Sequence, residues 1–256
     1  MQKRNTQQRR RLIIEKLGLE GEVYVESLAK EFSTSEVTIR KDLAELENNG
    51  LLLRKYGGAV PLPKESAELT TPEFSIRKQV IARAAAALIN DHDRIIIDSG
   101  STTAALLPEL KKKLGLVVMT NSMEVANTLL EWENEPKVLM TGGTWDPQSH
   151  SFQGAMAEQM LRAYNFDHAF LGAAGIDVDR GTTTFNELTQ LSKTMAEVAN
   201  NVVVMAESEK LERKIPNVEL DWDKISVLVT DDNVSMSSVE KIKHHGVEVV
   251  CAKQIQ

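Results

Sequence analysis

A single cysteine, Cys251, stands among 256 residues, so no intramolecular disulfide is available and a packed core must hold the chain together. Aromatic residues make up 5% of the chain, too few for the ring-stacking platforms with which single-strand nucleic-acid readers hold bases. No apolar run approaches the roughly 20 residues needed to cross a bilayer. The basic opening MQKRNTQQRRRLII lacks an apolar h-region, so neither membrane association nor a secretory leader is expected, and a cytoplasmic location is. The five histidines have no metal-ligand spacing, and His244-His245 reads as a solvated helix end. The nucleophile-elbow pattern is missing, and Cys251 reads as packing. No metal, cofactor or catalytic residue is therefore expected.

What is present is a globular composition, 42% apolar and 26% charged, with charge unevenly placed. Residues 1–60 hold 11 Lys+Arg against 9 Asp+Glu, a net of +2, while the other 196 carry a net of −9. A slightly basic head on an acidic body fits a nucleic-acid-binding module joined to something else. Helical spacing predicts helices over about 6–17, stopping at Gly18, then 25–32 and 35–48, the last ending at Asn49-Gly50. LLLRKYGGAV then predicts two short strands around Gly57-Gly58. Three helices with a tight turn before the third, and a hairpin behind it, make a winged helix-turn-helix over 1–59. In STSEVTIRKDL, Ile39 and Leu43 face a core while Thr38, Arg40 and Lys41 point away, as a helix in the major groove requires. The Ser35 hydroxyl and the helix N-terminus suit a DNA phosphate. Arg54, Lys55 and Tyr56 form a second cationic cluster, and Gly57 allows close approach to the DNA backbone.

Residues 60–76 carry three prolines and no periodicity and read as a linker. Beyond them, apolar strand-like runs at 94–98, 116–121, 137–141, 168–173, 202–206, 225–230 and 247–251 alternate with helical patterns. That order predicts an α/β domain over 77–256 with a mostly parallel sheet, whose ligands would sit at the carboxyl ends of its strands. The first such loop, Asp98-Ser99-Gly100-Ser101-Thr102-Thr103, offers glycine freedom, hydroxyls and a helix N-terminus; it reads equally as an anion cradle or as a helix cap. It lacks the Walker lysine, which argues against triphosphate hydrolysis. Asn121 and Ser122, Gly143, Gly175 and Asp177, Glu187, Lys193 and Lys210 lie in or near later post-strand segments. Amides and carboxylates there suit hydroxyls, and lysines suit a small anion.

LAKEFSTSEVTIRKDLAELENNGLLLRKYGGAV resembles the N-terminal signature of the DeoR-type bacterial sugar-operon repressors. DSGSTT, VMTNS, GG, GID and TTFNE…SK follow in that family's order and spacing. GTTTFNELTQLSKTM and RKIPNVELDWDKISVLVTDD are most similar to its glucitol (sorbitol) operon branch. The resemblance implies a winged-helix head and a sensor domain resembling ribose-5-phosphate isomerase and CoA-transferase folds. It implies operator DNA as one partner and a phosphorylated sugar or sugar alcohol, best sorbitol 6-phosphate, as an effector that relieves repression. It places Ser35, Thr38, Arg40 and Lys41 in the recognition helix, Arg54 to Gly58 in the wing, and residues 98–103 on the phosphate. Asp177, Glu187, Lys193 and Lys210 then surround the sugar. Departures are Ala174, where a polar residue is usual, and Glu207 and Glu209, where an Asp-Ser-Ser-Lys run is usual.

The rival expectation is an isomerase- or deaminase-like enzyme that carries a winged helix. It would need a positioned general base. The resemblance implies a glutamate just before the lysine of the helix after the Gly-Thr loop, and here Ser192 precedes Lys193. A palindromic operator would call for a homodimer, and a homotetramer follows as a dimer of dimers.

Overall fold

In the computed structural model, which describes residues 2–48, 52–55, 57–61, 74–147, 149–184, 189–213 and 215–253, helix α1 (Gln2–Glu20) turns Ile13 and Leu17 inward. They meet Val25, Leu28 and Ala29 of α2 (Val25–Glu31) and Ile39, Leu43 and Leu46 of α3 (Glu36–Asn48). The first helix passes through Gly18 instead of stopping there. An interior glycine costs a helix only about 1 kcal/mol, and the left-handed conformation that ends the run falls at Gly21, φ 75°. Ser33 at φ 47° makes the tight turn into α3, with Thr34 N–H donating to the Ala29 carbonyl at 3.0 Å.

A two-residue strand, β1 (Val23–Tyr24), was not evident from sequence. It pairs antiparallel with β3 (Gly58–Val60), which pairs on its other side with β2 (Leu53–Lys55). A Cβ on Gly58 would stand 2.1 Å from the Val23 carbonyl oxygen, so only glycine permits that approach. Asp42, 2% exposed, lies on the buried side of α3, where the Arg9 and Arg10 Nε groups donate to it at 2.5 and 2.9 Å. This double ion pair ties α1 to α3.

The chain divides into two units, Met1–Lys64 and Glu65–Gln256. Val60 pairs with Leu53, and Ile76 opens helix α4 (Ile76–Ala86), so structure enters the expected linker at both ends. The second unit continues with β4 (Arg94–Ile97), α5 (Ser101–Ala104), α6 (Leu107–Leu110), β5 (Val117–Thr120), α7 (Met123–Leu130) and β6 (Lys137–Met140). After them come β7 (Thr144–Asp146), β8 (Ser151–Gln153), α8 (Ala155–Arg162), β9 (Phe166–Leu171), β10 (Gly175–Asp177) and β11 (Gly181–Thr184). The unit closes with α9 (Gln190–Glu197), β12 (Ala199–Met205), a 3₁₀ turn at Ser208–Glu212, β13 (Asn217–Asp221), β14 (Val227–Asp231), α10 (Met236–His244) and β15 (Glu248–Ala252).

Seven strands form one sheet in the order β15-β14-β12-β9-β4-β5-β6, with every neighbouring pair parallel. Each of the seven apolar runs supplies one of them. Alternate residues face opposite layers. Ile95, Ile97, Phe170, Val203 and Val229 pack under α4, α6 and α7, while Ile96, Leu171, Val204 and Leu228 pack against α8, α9 and α10. Both faces are covered, which is why the strands read as unbroken apolar runs without polar alternation. The chain starts at β4, winds outward through β5 and β6, and returns to β9 on the other side of β4. The sheet's topological switch point is therefore between β4 and β9.

Five short antiparallel strands depart from the expected loops. β7 pairs with β8, and β10, β11 and β13 form a separate sheet. The segments around Gly175, Asp177 and 181–184, read as post-strand loops, are thus largely strand. Three- or four-residue segments such as GTTT are too short for a periodic signal.

Candidate functional site

On α3 the apolar stripe faces inward and leaves Ser35, Val37, Arg40 and Lys41 exposed, Val37 at 60%. Ser35 Oγ caps the helix by accepting the Thr38 N–H at 3.2 Å and lies 2.9 Å from Thr38 Oγ1, so Thr38 is partly committed to that cap. Arg40 pairs with Glu36 at 2.6 Å one turn back. Lys41 has no ion-pair partner among the described residues. In the hairpin, Arg54 Nε donates to Glu47 Oε2 at 2.6 Å and its N–H to Oε1 at 2.9 Å, docking β2 on α3. Lys55 pairs with Glu22 and lies 4.9 Å from the centroid of the Tyr24 ring. The Lys55 ammonium, helped by the Tyr24 hydroxyl, holds the Glu22 carboxyl below the usual range. Gly57 makes the turn at φ 78° with open space around its α-carbon, and Tyr56 lies outside the described residues. Helix α3 thus presents an outward, mostly polar face, whereas the hairpin cations Arg54 and Lys55 are held by acids of their own unit.

In the second unit, the 98–103 loop leaves the carboxyl end of β4 at the switch point, and Asp98 N–H donates to the Phe170 carbonyl of β9 at 3.0 Å. Gly100 precedes α5 at φ 139°, ψ 149°, a region open essentially to glycine alone. Asn121, 0% exposed at the end of β5, pins the loop with both ends of its amide. Its Nδ2 donates to Asp98 Oδ1 at 2.8 Å, and its Oδ1 accepts the Ser99 N–H at 2.9 Å. Thr103 Oγ1 donates to the Asp98 and Gly100 carbonyls, at 2.8 and 2.9 Å, and Thr102 is 3% exposed. Ser122 Oγ accepts Val125 N–H at 3.3 Å and caps α7. Of the loop's hydroxyl residues, Ser99 and Ser101 are half-buried and the two threonines buried, and the first N–H groups of α5 have no intrahelical acceptor.

Sequence reasoning missed two residues here. Lys78, on the first turn of α4, donates its ammonium to Ser101 Oγ at 2.8 Å. Asp231, 1% exposed at the end of β14, accepts from Ser208 N–H and Oγ at 2.8 and 2.7 Å and from Asn233 N–H at 3.1 Å. Burial pushes the Asp231 carboxyl up, but those hydrogen bonds and the Arg77 charge outweigh it and hold the group below its ordinary value. Lys78 lies outside the quoted motifs, and Asp231 lies in RKIPNVELDWDKISVLVTDD without a role assigned to it; tertiary packing alone brings Lys78 to Ser101 and Asp231 to Ser208.

The other expected residues are dispersed. Lys210, 7% exposed, donates to the Ala173 carbonyl at 2.5 Å, just past β9. Gly175 opens β10, and a Cβ there would meet Thr183 Oγ1 at 2.8 Å. Gly143 has φ 108° and touches the β8 backbone, where a Cβ would lie 2.5 Å from the Gln153 carbonyl oxygen. Asp177 is committed to its own hairpin turn, accepting from Arg180 Nε at 2.6 Å and Asp179 N–H at 3.0 Å. Burial pushes the Asp177 carboxyl up, and these bonds bring it below the usual range. Lys193 is exposed on α9, and Glu187 lies outside the described residues. Ser192 Oγ donates to Glu219 Oε1 at 2.7 Å. Among the described residues no cluster of His, Cys, Asp and Glu could hold a metal ion, and no helix is long and apolar enough to cross a membrane.

Residues 9–64 match the DeoR-like helix-turn-helix domain, and residues 73–232 match the DeoR C terminal sensor domain. A protein named as an aga operon transcriptional repressor in Escherichia coli O157:H7 is 39% identical over 252 residues, covering 96% of this chain and 93% of that one. The HTH-type transcriptional regulator GlpR of Haloferax volcanii is 34% identical over 248 residues, covering 95% and 96%. A solved ribose 5-phosphate isomerase A from Methanocaldococcus jannaschii is alike over 54% of each chain at 22% identity and a TM-score of 0.40, a likeness too slight to bear on function. With both parts matched in order, and relatives aligned along nearly the whole length, the chain belongs to the DeoR family of transcriptional regulators.

Proposed function

We propose that this chain is a cytoplasmic DNA-binding repressor of a sugar or sugar-alcohol catabolic operon, released from its operator by a phosphorylated sugar. The observation that carries the reading is the pairing, in one chain, of an outward polar recognition helix with a hydroxyl-rich loop at the switch point of a parallel sheet. Sorbitol 6-phosphate is the effector proposed first, on the sequence resemblance. Ser99, Ser101 and the first N–H groups of α5 would hold its phosphate. A homodimer would present two recognition helices to a palindromic site. Turnover is not part of this reading, because the position before Lys193, where the resemblance implies a glutamate, holds Ser192, whose hydroxyl is engaged with Glu219.

The test uses duplex DNA selected by the chain from a random pool, followed by fluorescence anisotropy. Sorbitol 6-phosphate is expected to weaken binding by about 5- to 150-fold, the usual range of a coupling between two sites, and plain sorbitol is expected to do nothing. Equal release by plain sorbitol, or no response to any hexitol, hexose or pentose phosphate, would sink the sensor reading.

Within the head, Lys41→Ala is expected to weaken binding to the selected DNA by about 1–3 kcal/mol. Arg40→Ala should cost less, because Arg40 must first leave Glu36. Effector affinity should not change in either variant. If both bind DNA as tightly as the parent chain, α3 is not the reading helix.

A further inference from the structure

We propose that Val37 selects a thymine in the operator by packing on its 5-methyl group, a role that rests on the reading of α3 as the helix that enters the DNA. Between positions 35 and 41 the exposed residues are Ser35, Glu36, Val37, Arg40 and Lys41. Three of these are already committed. Ser35 Oγ accepts the Thr38 N–H and lies 2.9 Å from Thr38 Oγ1, and Arg40 pairs with Glu36 at 2.6 Å. Val37 and Lys41 remain, the first apolar and 60% exposed, the second a cation with no ion-pair partner among the described residues. They are four positions apart, so they lie on one strip of the helix surface, a turn from each other.

A single exposed valine is ordinary on a protein surface. The place of this one is what sets it apart. Among the described residues of the first unit it is the most exposed large apolar side chain, ahead of Tyr24 at 46%, whose ring lies beneath the Lys55 ammonium. The residues three and four positions to either side, Ser33, Thr34, Arg40 and Lys41, are polar, so no apolar residue stands beside it along α3. A β-branched side chain also loses χ1 freedom in a helix. Neither core packing nor helix preference therefore favours a valine here.

The chemistry of the groove names the ligand. A valine side chain neither donates nor accepts a hydrogen bond. In the major groove the base edges present donors and acceptors, and the one apolar group among them is the thymine 5-methyl. Against any other edge, Val37 would strip water from a polar atom and return no hydrogen bond, which costs free energy. Against thymine it buries a methyl group. Lys41, one turn farther on, supplies charge for a phosphate or for the O6 and N7 acceptors of guanine. The strip thus offers one apolar contact for sequence and one cation.

The test uses the full-length chain and the duplex it selects from a random pool, at one fixed salt concentration. Each thymine is replaced in turn by deoxyuridine, which lacks the 5-methyl group and keeps the hydrogen-bonding edge. At one thymine the parent chain is expected to lose about 3- to 5-fold in affinity, the worth of one buried methyl group. Val37→Ala should bind the thymine and deoxyuridine duplexes equally at that position. A pool selected with Val37→Gln should carry adenine there, because a glutamine matches the adenine N6 and N7, and the rest of the selected sequence should stay. Both variants should melt with the parent, since the side chain is exposed. A merely structural role would lower the melting temperature and leave the methyl preference alone. If no thymine is sensitive to loss of its methyl group, or if Val37→Ala keeps the parent's sensitivity, the proposal is overturned, with DNA binding by α3 intact. If the parent enriches no sequence from the pool, the reading of α3 fails, and the role of Val37 falls with it.

Discussion

Asp42→Ala is expected to unfold the head and abolish DNA binding, although Asp42 is buried and presents no surface to a ligand. The carboxylate is buried between two arginines, with the Arg9 and Arg10 Nε groups at 2.5 and 2.9 Å. Removing one member of a buried ion-pair network leaves the other charges uncompensated and typically costs about 3–5 kcal/mol. A unit of about 60 residues buries a smaller share of its unfolded surface than a larger domain does, about 60%, and has little stability to spare. Hydrogen exchange at the amides of Ile13, Leu17, Leu28 and Leu43 reads the effect directly. These amides should lose most of their protection in Asp42→Ala. Asp42→Asn, which retains one acceptor oxygen, should lie between the two. A loss below about 1 kcal/mol would mean that the arginines are solvated in solution and that the apolar contacts alone hold α1 on α3.

Asn121→Asp should have a comparable effect on the second unit through a change of a few atoms. The Asn121 amide donates to Asp98 Oδ1 at 2.8 Å, so an aspartate there would set two carboxylates against each other in a buried place. The hydrogen bond is lost and a like-charge repulsion replaces it, for an expected cost of roughly 3 kcal/mol at pH 7. The repulsion raises the folded-state pKa of one carboxyl above its unfolded value. That penalty is present when both groups are ionised and is relieved as pH falls through the raised pKa. The difference in melting temperature from the parent chain should therefore narrow between about pH 7 and pH 4.5. Sugar-phosphate binding should weaken along with stability, because the 98–103 loop loses its anchor. A pH-independent difference, or a variant as stable as the parent, would show that the Asp98–Asn121 contact does not hold the loop in solution.

Much of the architecture was legible because it rests on local patterns. Seven apolar runs became seven parallel strands, because a strand covered on both faces has to be apolar on both. Ile39, Leu43 and Leu46 put the inner face of α3 in the core, which left Arg40 and Lys41 outside. The 98–103 loop could be placed at a strand's carboxyl end from the order of elements alone. The short strands could not be found in this way. β1 has two residues and owes its existence to β3, far along the chain, while β10 and β11, with three and four, are too short to carry a period of their own.

Residue types announced the candidate sites, and packing decided how those residues are used. Asn121 and Ser122 were expected to meet the effector, yet Asn121 holds the loop and Ser122 caps a helix. Asp177 was expected beside the sugar and is engaged with Arg180 in its own turn. Arg54 and Lys55 carry the wing's charge, but both are matched to acids, Glu47 and Glu22, that lie 7 and 33 positions away. Lys78 sat in an unremarked stretch until α4 folded across the sheet and set its ammonium on Ser101. Sequence by itself determined the order and type of the main elements, since hydrophobic period and helix signals act within a few residues. Which polar side chains are already bound within the fold, and which stand ready for a partner, depends on how the fold aims each of them, at a near neighbour for Asp177 and Ser122 and at residues tens of positions away for Asn121 and Lys55, and only the tertiary structure decided that.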